Sequence, residues 1–277
     1  GNVDQVAIKR CILAAATVED KVKTFWCMLS SDIPQTVVGD VGGVFGQSEV
    51  THRRSYHSLL ENLEIDLNEI NEHKELSDRI KYLNKHIQTD PKIIGKKRIL
   101  KKLVLFTALV ERASLFTQFY ILMSYAKHNK GLETISSLQR STATEEILHY
   151  TFGVDVINII KKEQPQLWSE YLVELVEKNI QVAYETELKL IDWFFENGVP
   201  DHLTREEVVN FLRYNFSVIC NDLDLQLDYT YDKILYQEKN HWMMEKVLAP
   251  IEVDFFHNAA GSYSSTDEEV DIDEFEF

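Results

Sequence analysis

Apolar residues recur every three or four positions over most of this chain, and five prolines interrupt the recurrence. That spacing places the apolar side chains on one face of a helix, and no segment shows the two-residue alternation of a half-buried strand. The first two helices are predicted over residues 4–30 and from about residue 47 past residue 63. The pattern therefore predicts an all-α fold.

The segment between these two helices contains Pro34 and the sequence VVGDVGGVFG, with four glycines. Because glycine and proline favour turns, a flexible loop is predicted here. The glycines lack the GxGxxG spacing of a dinucleotide-binding turn, and no Lys-Ser or Lys-Thr pair follows them as in a phosphate-binding loop. This segment is therefore expected to connect two helices rather than to bind a ligand.

Later segments carry signals for helix packing and for a helix start. Residues 103–126 are largely apolar, so this helix is expected to be buried on most of its circumference. In the next helix Gly153 lies one turn beyond His149, where a missing side chain would let a neighbouring helix approach closely. Thr204, with Glu207 three residues later, matches the capping pattern that begins a helix.

Charge and cysteine content restrict the partners and the compartment. The formal net charge is −16, which disfavours binding to nucleic-acid phosphates. The three cysteines form no Cys-x-x-Cys pair, which predicts a reducing compartment and no structural zinc. No apolar run is long enough to cross a membrane and no signal peptide is visible, so we expect a soluble, cytoplasmic protein.

A Glu-x-x-His pair occurs twice in segments with helical patterns. Glu49 and His52 lie in EVTHRRSY, and Glu146 and His149 lie in TEEILHY. Residues three apart on a helix lie one turn from each other, so each pair can offer two ligand atoms on the same face. Two such pairs, with one carboxylate from each of two further helices, form the ligand set of a di-metal site in a helical bundle.

The two further carboxylates are sought on the first helix and on the apolar helix. Glu111 is the only acid in residues 103–126, and a buried carboxylate requires a partner such as a metal ion. On the first helix Glu19 and Asp20 are adjacent, and both cannot face the core. We choose Asp20 because it extends the inward-facing stripe of that helix by a turn, and Glu19 remains the alternative.

These residues resemble the metal-ligand order of the small (beta, radical-generating) subunit of class I ribonucleotide reductase. The segments LAAATVED, EVTHRRSY, VERASLF and TEEILHYTFG are similar to the four ligand helices of that family. Tyr56, seven residues after Glu49, matches the radical-bearing tyrosine of the family. The resemblance covers nearly the whole chain, and it implies these metal ligands: Asp20, Glu49, His52, Glu111, Glu146 and His149.

The resemblance implies a fold and an activity. The fold would be a ferritin-like di-metal bundle with additional helices over residues 1–256, followed by a disordered acidic tail over 257–277. Two metal ions per chain would be bound, with iron the first choice and manganese or a mixed pair as alternatives. With O₂ or peroxide the centre would generate a stable radical on Tyr56, which passes to a large subunit that reduces ribonucleotides to deoxyribonucleotides.

The tail is expected to bind that large (alpha) subunit. Its last eleven residues contain seven acids and no basic residue, so it cannot form a core by itself. Phe275 and Phe277 alternate with acids and would anchor the tail in a groove of the partner. The resemblance assigns Tyr263 as the tyrosine that relays the radical, and it further implies a homodimer and activation by a flavoprotein.

The chain departs from the family pattern at two places. Residue 145, before the ligand Glu146, is Glu where the family has Asp, so the route outward from His52 is expected to differ in geometry. The relay tryptophan of the family lies well before the first ligand, and none of the four tryptophans occupies that place. We expect either an additional N-terminal segment or a different relay.

Two alternative functions would use the same ligands. A stand-alone di-metal oxidase or oxygenase would need a substrate channel and no partner tail. A ferritin-like metal-storage protein would explain the ligands, but it would not explain Tyr56 at the site together with an aromatic and acidic tail.

Overall fold

The helices expected from the apolar spacing are present in the computed structural model. It describes residues 2–66, 69 and 72–249, and among them the side chains of 20–24 are not described. The described residues contain no β-strand, so the all-α prediction is confirmed. The α-helices are α1 Asn2–Asp32, α2 Thr36–Asn62, α3 Lys74–Leu83, α4 Lys96–Ala108, α5 Phe116–Lys127, α6 Glu133–Glu163, α7 Glu170–Phe194, α8 Arg205–Leu223, α9 Lys233–Leu235 and α10 His241–Leu248.

The predicted glycine loop is wrong, because these glycines lie inside α2. Gly42 and Gly46 face α1: an added Cβ would lie 2.5 Å from the backbone oxygen of Trp26 at the first and 2.2 Å from the Sγ of Cys27 at the second. The two helices are packed so closely that only hydrogen fits at these positions. Glycine therefore permits helix packing here, although the same residue type also favours turns.

Substitution of Gly42 by Ala is expected to destabilise the protein by about 1–3 kcal/mol, because the added methyl group meets a backbone atom that cannot move cheaply. Gly43 is the matched control: it is exposed, and no atom lies within 4 Å of its added Cβ. Gly43→Ala should stabilise the helix by about 0.5–1 kcal/mol. Thermal or urea unfolding measures both, and equal effects from the two substitutions would refute the packing explanation.

The apolar helix predicted over residues 103–126 is buried over residues 103–125, as expected. It is not one continuous α-helix, because a π-helical turn, Leu109–Ala113, separates α4 from α5. Such turns insert an extra residue into a helix and occur often at functional sites. Glu111 lies at the centre of this turn, so the turn determines where its carboxylate points.

Two further expectations on packing and capping are confirmed. An added Cβ at Gly153 would lie 2.3 Å from the Oγ1 of Thr107, so α4 and α6 approach closely at this glycine. The hydroxyl of Thr204 accepts a hydrogen bond from the backbone N–H of Glu207 at the start of α8.

A buried ion pair joins α3 to α7. The guanidinium of Arg79 donates to both carboxylate oxygens of Glu187, at 2.9 and 2.5 Å, and to the backbone oxygen of Ala14 at 3.0 Å. The hydroxyl of Tyr82 also donates to Glu187. Every member of the network is buried, so α1, α3 and α7 are linked by charged hydrogen bonds within the core.

No helix in the described part of the chain is both long and apolar enough to cross a membrane. The tail residues Tyr263, Phe275 and Phe277 lie outside the described residues.

Candidate metal centre

Six carboxylate and imidazole side chains meet in the interior between α1, α2, α6 and the π-helical turn. They form two overlapping groups. In each group one ligand atom per residue lies within 4.8 Å of all the others. One group consists of Glu19, Glu49, His52 and Glu146, and the other consists of Glu49, Glu111, Glu146 and His149. Because Glu49 and Glu146 belong to both, two adjacent ions could share these carboxylates.

The Nδ1 atom of each imidazole faces three carboxylates. For His149 the distances from Nδ1 are 3.0 Å to Glu49, 3.4 Å to Glu146 and 3.5 Å to Glu111. For His52 they are 3.1 Å to Glu146, 3.6 Å to Glu49 and 3.8 Å to Glu19. The two Glu-x-x-His pairs therefore place one imidazole in each group, as their spacing along the helices allows.

Many polar atoms of this cluster have no hydrogen bond, although they are buried. They include both carboxylate oxygens of Glu19 and of Glu49, and the Nδ1 atoms of His52 and His149. Buried polar atoms without partners are costly and rare in proteins. Carboxylate oxygens and imidazole nitrogens that converge without hydrogen bonds suit a metal cation, because the cation binds their lone pairs in the place of protons.

The pKa shifts of the cluster residues indicate the same need for positive charge. Burial and the nearby charge of Glu146 raise the pKa of Glu19 and of Glu111 well above the usual range. Burial alone would lower the pKa of His149, but the carboxylates of Glu111, Glu146 and Glu49 outweigh it and raise this pKa to about 12. Protons therefore supply part of the positive charge that bound metal ions would supply, and metal binding should release protons.

Three outer residues hold the ligand side chains in place. Nε2 of His52 lies 2.9 Å from Oε2 of Glu145, and Nε2 of His149 lies 3.1 Å from the hydroxyl of Ser48. Hydrogen bonds of this kind orient metal-binding imidazoles. The contact at residue 145 shows that Glu reaches the imidazole at this position.

Trp26 is the third outer residue, and it donates from its indole Nε1 to Oε1 of Glu111 at 2.7 Å. Its ring, together with Phe45 and Phe152, forms an aromatic wall beside His149, and the ring centroids of Phe45 and His149 are 4.2 Å apart. Neither Ser48 nor Trp26 was predicted from the sequence as a contact of the ligand residues. Their positions relative to the expected ligands were the available signal: Trp26 lies two turns after Glu19 on α1, and Ser48 precedes Glu49.

The structure brings Glu19 into the cluster, whereas the side chain of the expected ligand Asp20 lies outside the described residues. The choice of Asp20 depended on an inward-facing stripe along α1. However, every residue from 11 to 19 is buried, so this part of α1 has no outer face that could distinguish neighbouring positions.

Tyr56 is fully buried one turn beyond His52 on α2. Its hydroxyl donates to Oε1 of Gln139 on α6 at 2.5 Å. Burial and the negative charge of Glu19 raise the pKa of this phenol well above its usual value, although the hydrogen bond to Gln139 acts in the opposite direction. The phenol is therefore neutral and shielded from solvent next to the cluster.

This arrangement can hold two cations and an oxidisable phenol in one dry interior. Four carboxylates and two imidazoles balance the charge of two divalent ions and stabilise higher oxidation states. The phenol of Tyr56 is an oxidisable side chain beside the cluster, and burial would protect its oxidised form from water.

Comparisons with known proteins agree on one family. The family described as "Ribonucleotide reductase, small chain" matches residues 2–240. The beta subunit of ribonucleoside-diphosphate reductase from Chlamydia pneumoniae is 25% identical over 173 residues, which cover 62% of this chain and 47% of that protein. A probable small subunit of the same enzyme from Invertebrate iridescent virus 3 is 22% identical over 239 residues, 79% of this chain and 61% of that protein.

A solved structure supports the fold. The crystal structure of a protein assigned provisionally as a class I ribonucleotide reductase, from Bacillus halodurans, superposes with a TM-score of 0.72. The superposition covers 88% of this chain and 86% of that one, at 18% sequence identity. The chain spans about half to three fifths of the length of the curated relatives it matches.

Proposed function

Because this chain belongs to the ribonucleotide reductase small-chain family, we propose that it is the radical-generating beta subunit of a ribonucleoside-diphosphate reductase. One observation carries the proposal: two overlapping ligand groups lie in the core, and a fully buried tyrosine follows one of their histidines by one turn. A metal-storage protein needs the ligand groups but not the buried tyrosine. The combination supports a centre that oxidises its own tyrosine.

Two metal ions would be held by the six cluster residues, with Glu19 in place of Asp20. Carboxylate and imidazole ligands suit iron and manganese, so iron, manganese or a mixed pair is proposed. When bound, such ions supply redox chemistry with O₂ or a peroxide and can accept one electron from a nearby side chain. The proposed ligand set is Glu19, Glu49, His52, Glu111, Glu146 and His149.

The residues of the chain prepare Tyr56 for this role. The hydrogen bond to Gln139 fixes the direction of the phenolic O–H bond, and burial excludes water from the ring. Glu145 and Ser48 hold the two imidazoles in their orientations. A catalytic phenol in a fixed position beside a rigid ligand set needs little reorganisation when it reacts.

The radical would then serve a partner subunit. We propose that residues 257–277 bind the large subunit, that Phe275 and Phe277 anchor the contact, and that Tyr263 relays the radical. A homodimer and a flavoprotein that activates the centre belong to the same proposal. The reduction of ribonucleotides would take place on the large subunit.

Substitution of Tyr56 by Phe is expected to abolish the radical and to leave metal binding unchanged, because only the phenolic oxygen is lost. The chain is loaded with Fe²⁺ or Mn²⁺, oxidised with O₂ or H₂O₂, and measured by low-temperature electron paramagnetic resonance. The parent should give a tyrosyl signal that the variant lacks, at equal metal content. A parent without this signal would instead support a stand-alone oxidase or a storage protein.

A synthetic peptide of about the last twenty residues is expected to compete with the full chain for the large subunit, because aromatic anchors dominate the affinity of extended segments. Truncation after Ser265 should abolish nucleotide reduction and preserve the metals and the Tyr56 signal. A matched peptide with both phenylalanines replaced by alanine is the control. Full reduction activity from the truncated chain would disprove the role of the tail.

A further inference from the structure

A stripe of buried polar side chains precedes Glu146 and His149 on α6. Ser136, Gln139 and Thr142 follow one another at intervals of three residues, and Glu146 lies four residues after the last of them. All are at most 2% exposed, and this spacing places them on one face of the helix. An apolar face would be the ordinary lining for a buried tyrosine, so these polar side chains need an explanation.

Tyr56 contacts this stripe through Gln139. The phenol donates its proton to Oε1 of Gln139 at 2.5 Å, and the amide is completely buried. The other end of the amide, Nε2, is a donor with no hydrogen-bond partner. A buried amide that uses only its acceptor leaves a costly unsatisfied donor, which suggests that the donor is used in another state of the site.

An amide suits a tyrosine that changes between two forms. A phenol has a proton to donate, whereas a phenoxyl radical has lost that proton and can only accept a hydrogen bond. The amide carries an acceptor and a donor, and its terminal torsion is soft and roughly two-fold. A half-turn of the amide exchanges two groups of similar size, so the surrounding core need not move.

We propose that Gln139 is a positioning residue that hydrogen-bonds Tyr56 in both redox states. In the reduced state Oε1 accepts from the phenol, and in the oxidised state Nε2 donates to the phenoxyl oxygen. The inference depends on the proposed function, because it presumes a Tyr56 radical. It assigns a role to the unpartnered Nε2 atom.

The oxidation balances as the loss of one electron and one proton from Tyr56. The O–H bond breaks, the electron would pass to the centre oxidised by O₂ or a peroxide, and the proton would be taken up as that oxidant is reduced to water. The hydroxyls of Ser136 and Thr142 lie on the same buried face of α6 as Gln139. Thr142 also lies close enough to the phenol to influence its pKa.

The test is electron-nuclear double resonance on the loaded, oxidised full-length chain, prepared in H₂O and in D₂O. The parent radical should show one exchangeable hydrogen at hydrogen-bond distance from the phenoxyl oxygen. Gln139→Met, which keeps a long unbranched side chain without an N–H group, should lose this coupling. Gln139→Leu is a second variant that guards against misfolding of the first, and metal content confirms that each site is intact.

Thr142→Val is the matched control, because it removes the hydroxyl of the second polar side chain near the phenol and preserves the side-chain shape. It should retain the exchangeable coupling, since Gln139 is the proposed donor. Loss of the coupling in Thr142→Val with retention in Gln139→Met would overturn the assignment. A parent tyrosyl radical without any exchangeable coupling would overturn this inference alone, whereas no tyrosyl radical in the parent would overturn the proposed function as well.

Discussion

Substitution of Glu49 by Ala is expected to abolish binding of both metal ions, whereas substitution of Glu111 by Ala should remove only one. Glu49 offers a ligand atom to both groups of the centre, and Glu111 offers one only to the group that contains His149. Loss of the shared carboxylate leaves both groups with one ligand and one negative charge fewer. Metal content should fall from about two ions per chain to about none.

Elemental analysis after dialysis measures these contents, and circular dichroism reports whether the helices persist. Glu61→Ala is the matched control, because Glu61 lies on the same helix, is exposed and is remote from the ligand groups. It should bind both ions as the parent does. A Glu49→Ala chain that retains two ions at parental affinity would disprove the shared-carboxylate arrangement.

The same measurement decides between the two candidate ligands on α1. Glu19→Ala should lose the ion of the His52 group, because the buried Glu19 carboxylate belongs to that group. Asp20→Ala should keep both ions. The opposite pair of results would restore Asp20 as the ligand.

Substitution of Arg79 by Ala is expected to reduce the free energy of unfolding by about 3–5 kcal/mol, the largest effect on stability that we predict. The substitution leaves the Glu187 carboxylate buried without its cation and breaks three hydrogen bonds of the guanidinium. An unpaired buried charge costs far more than the loss of a surface ion pair.

Arg205→Ala is the surface control, because this guanidinium pairs with Asp192 at 2.6 Å with both side chains at least half exposed. Its effect should be below about 1 kcal/mol. The double substitution Arg79→Met with Glu187→Leu should cost less than Arg79→Ala, because no buried charge remains. Urea unfolding measures all three variants, and an equal loss from Arg79→Ala and Arg205→Ala would contradict the argument.

Local spacing explains how much of the site was predictable. Each Glu-x-x-His pair lies within one helical turn, so the two ligands of a pair share a face wherever the helix packs. Glu111 stood out because an acid in an apolar run needs a partner. The structure places Glu49, His52, Glu111, Glu146 and His149 in the two ligand groups.

The helix boundaries near the glycines could not be read from residue preferences. Glycine is frequent in turns and also where helices touch, and only the position of α1 shows which applies. The 2.5 Å that separates an added Cβ at Gly42 from the backbone oxygen of Trp26 is a distance between two helices. The pattern of residues along one helix carries no information about that distance.

The sequence by itself determined the helical class, the spacing within each Glu-x-x-His pair and the position of Tyr56 one turn beyond His52, because all of these depend on residues within one or two turns. The tertiary structure decided which partners those residues meet. The contacts of Trp26 with Glu111 and of Tyr56 with Gln139 join residues 85 and 83 positions apart. Such contacts depend on how helices pack against one another, and the order of residues within one helix does not specify that packing.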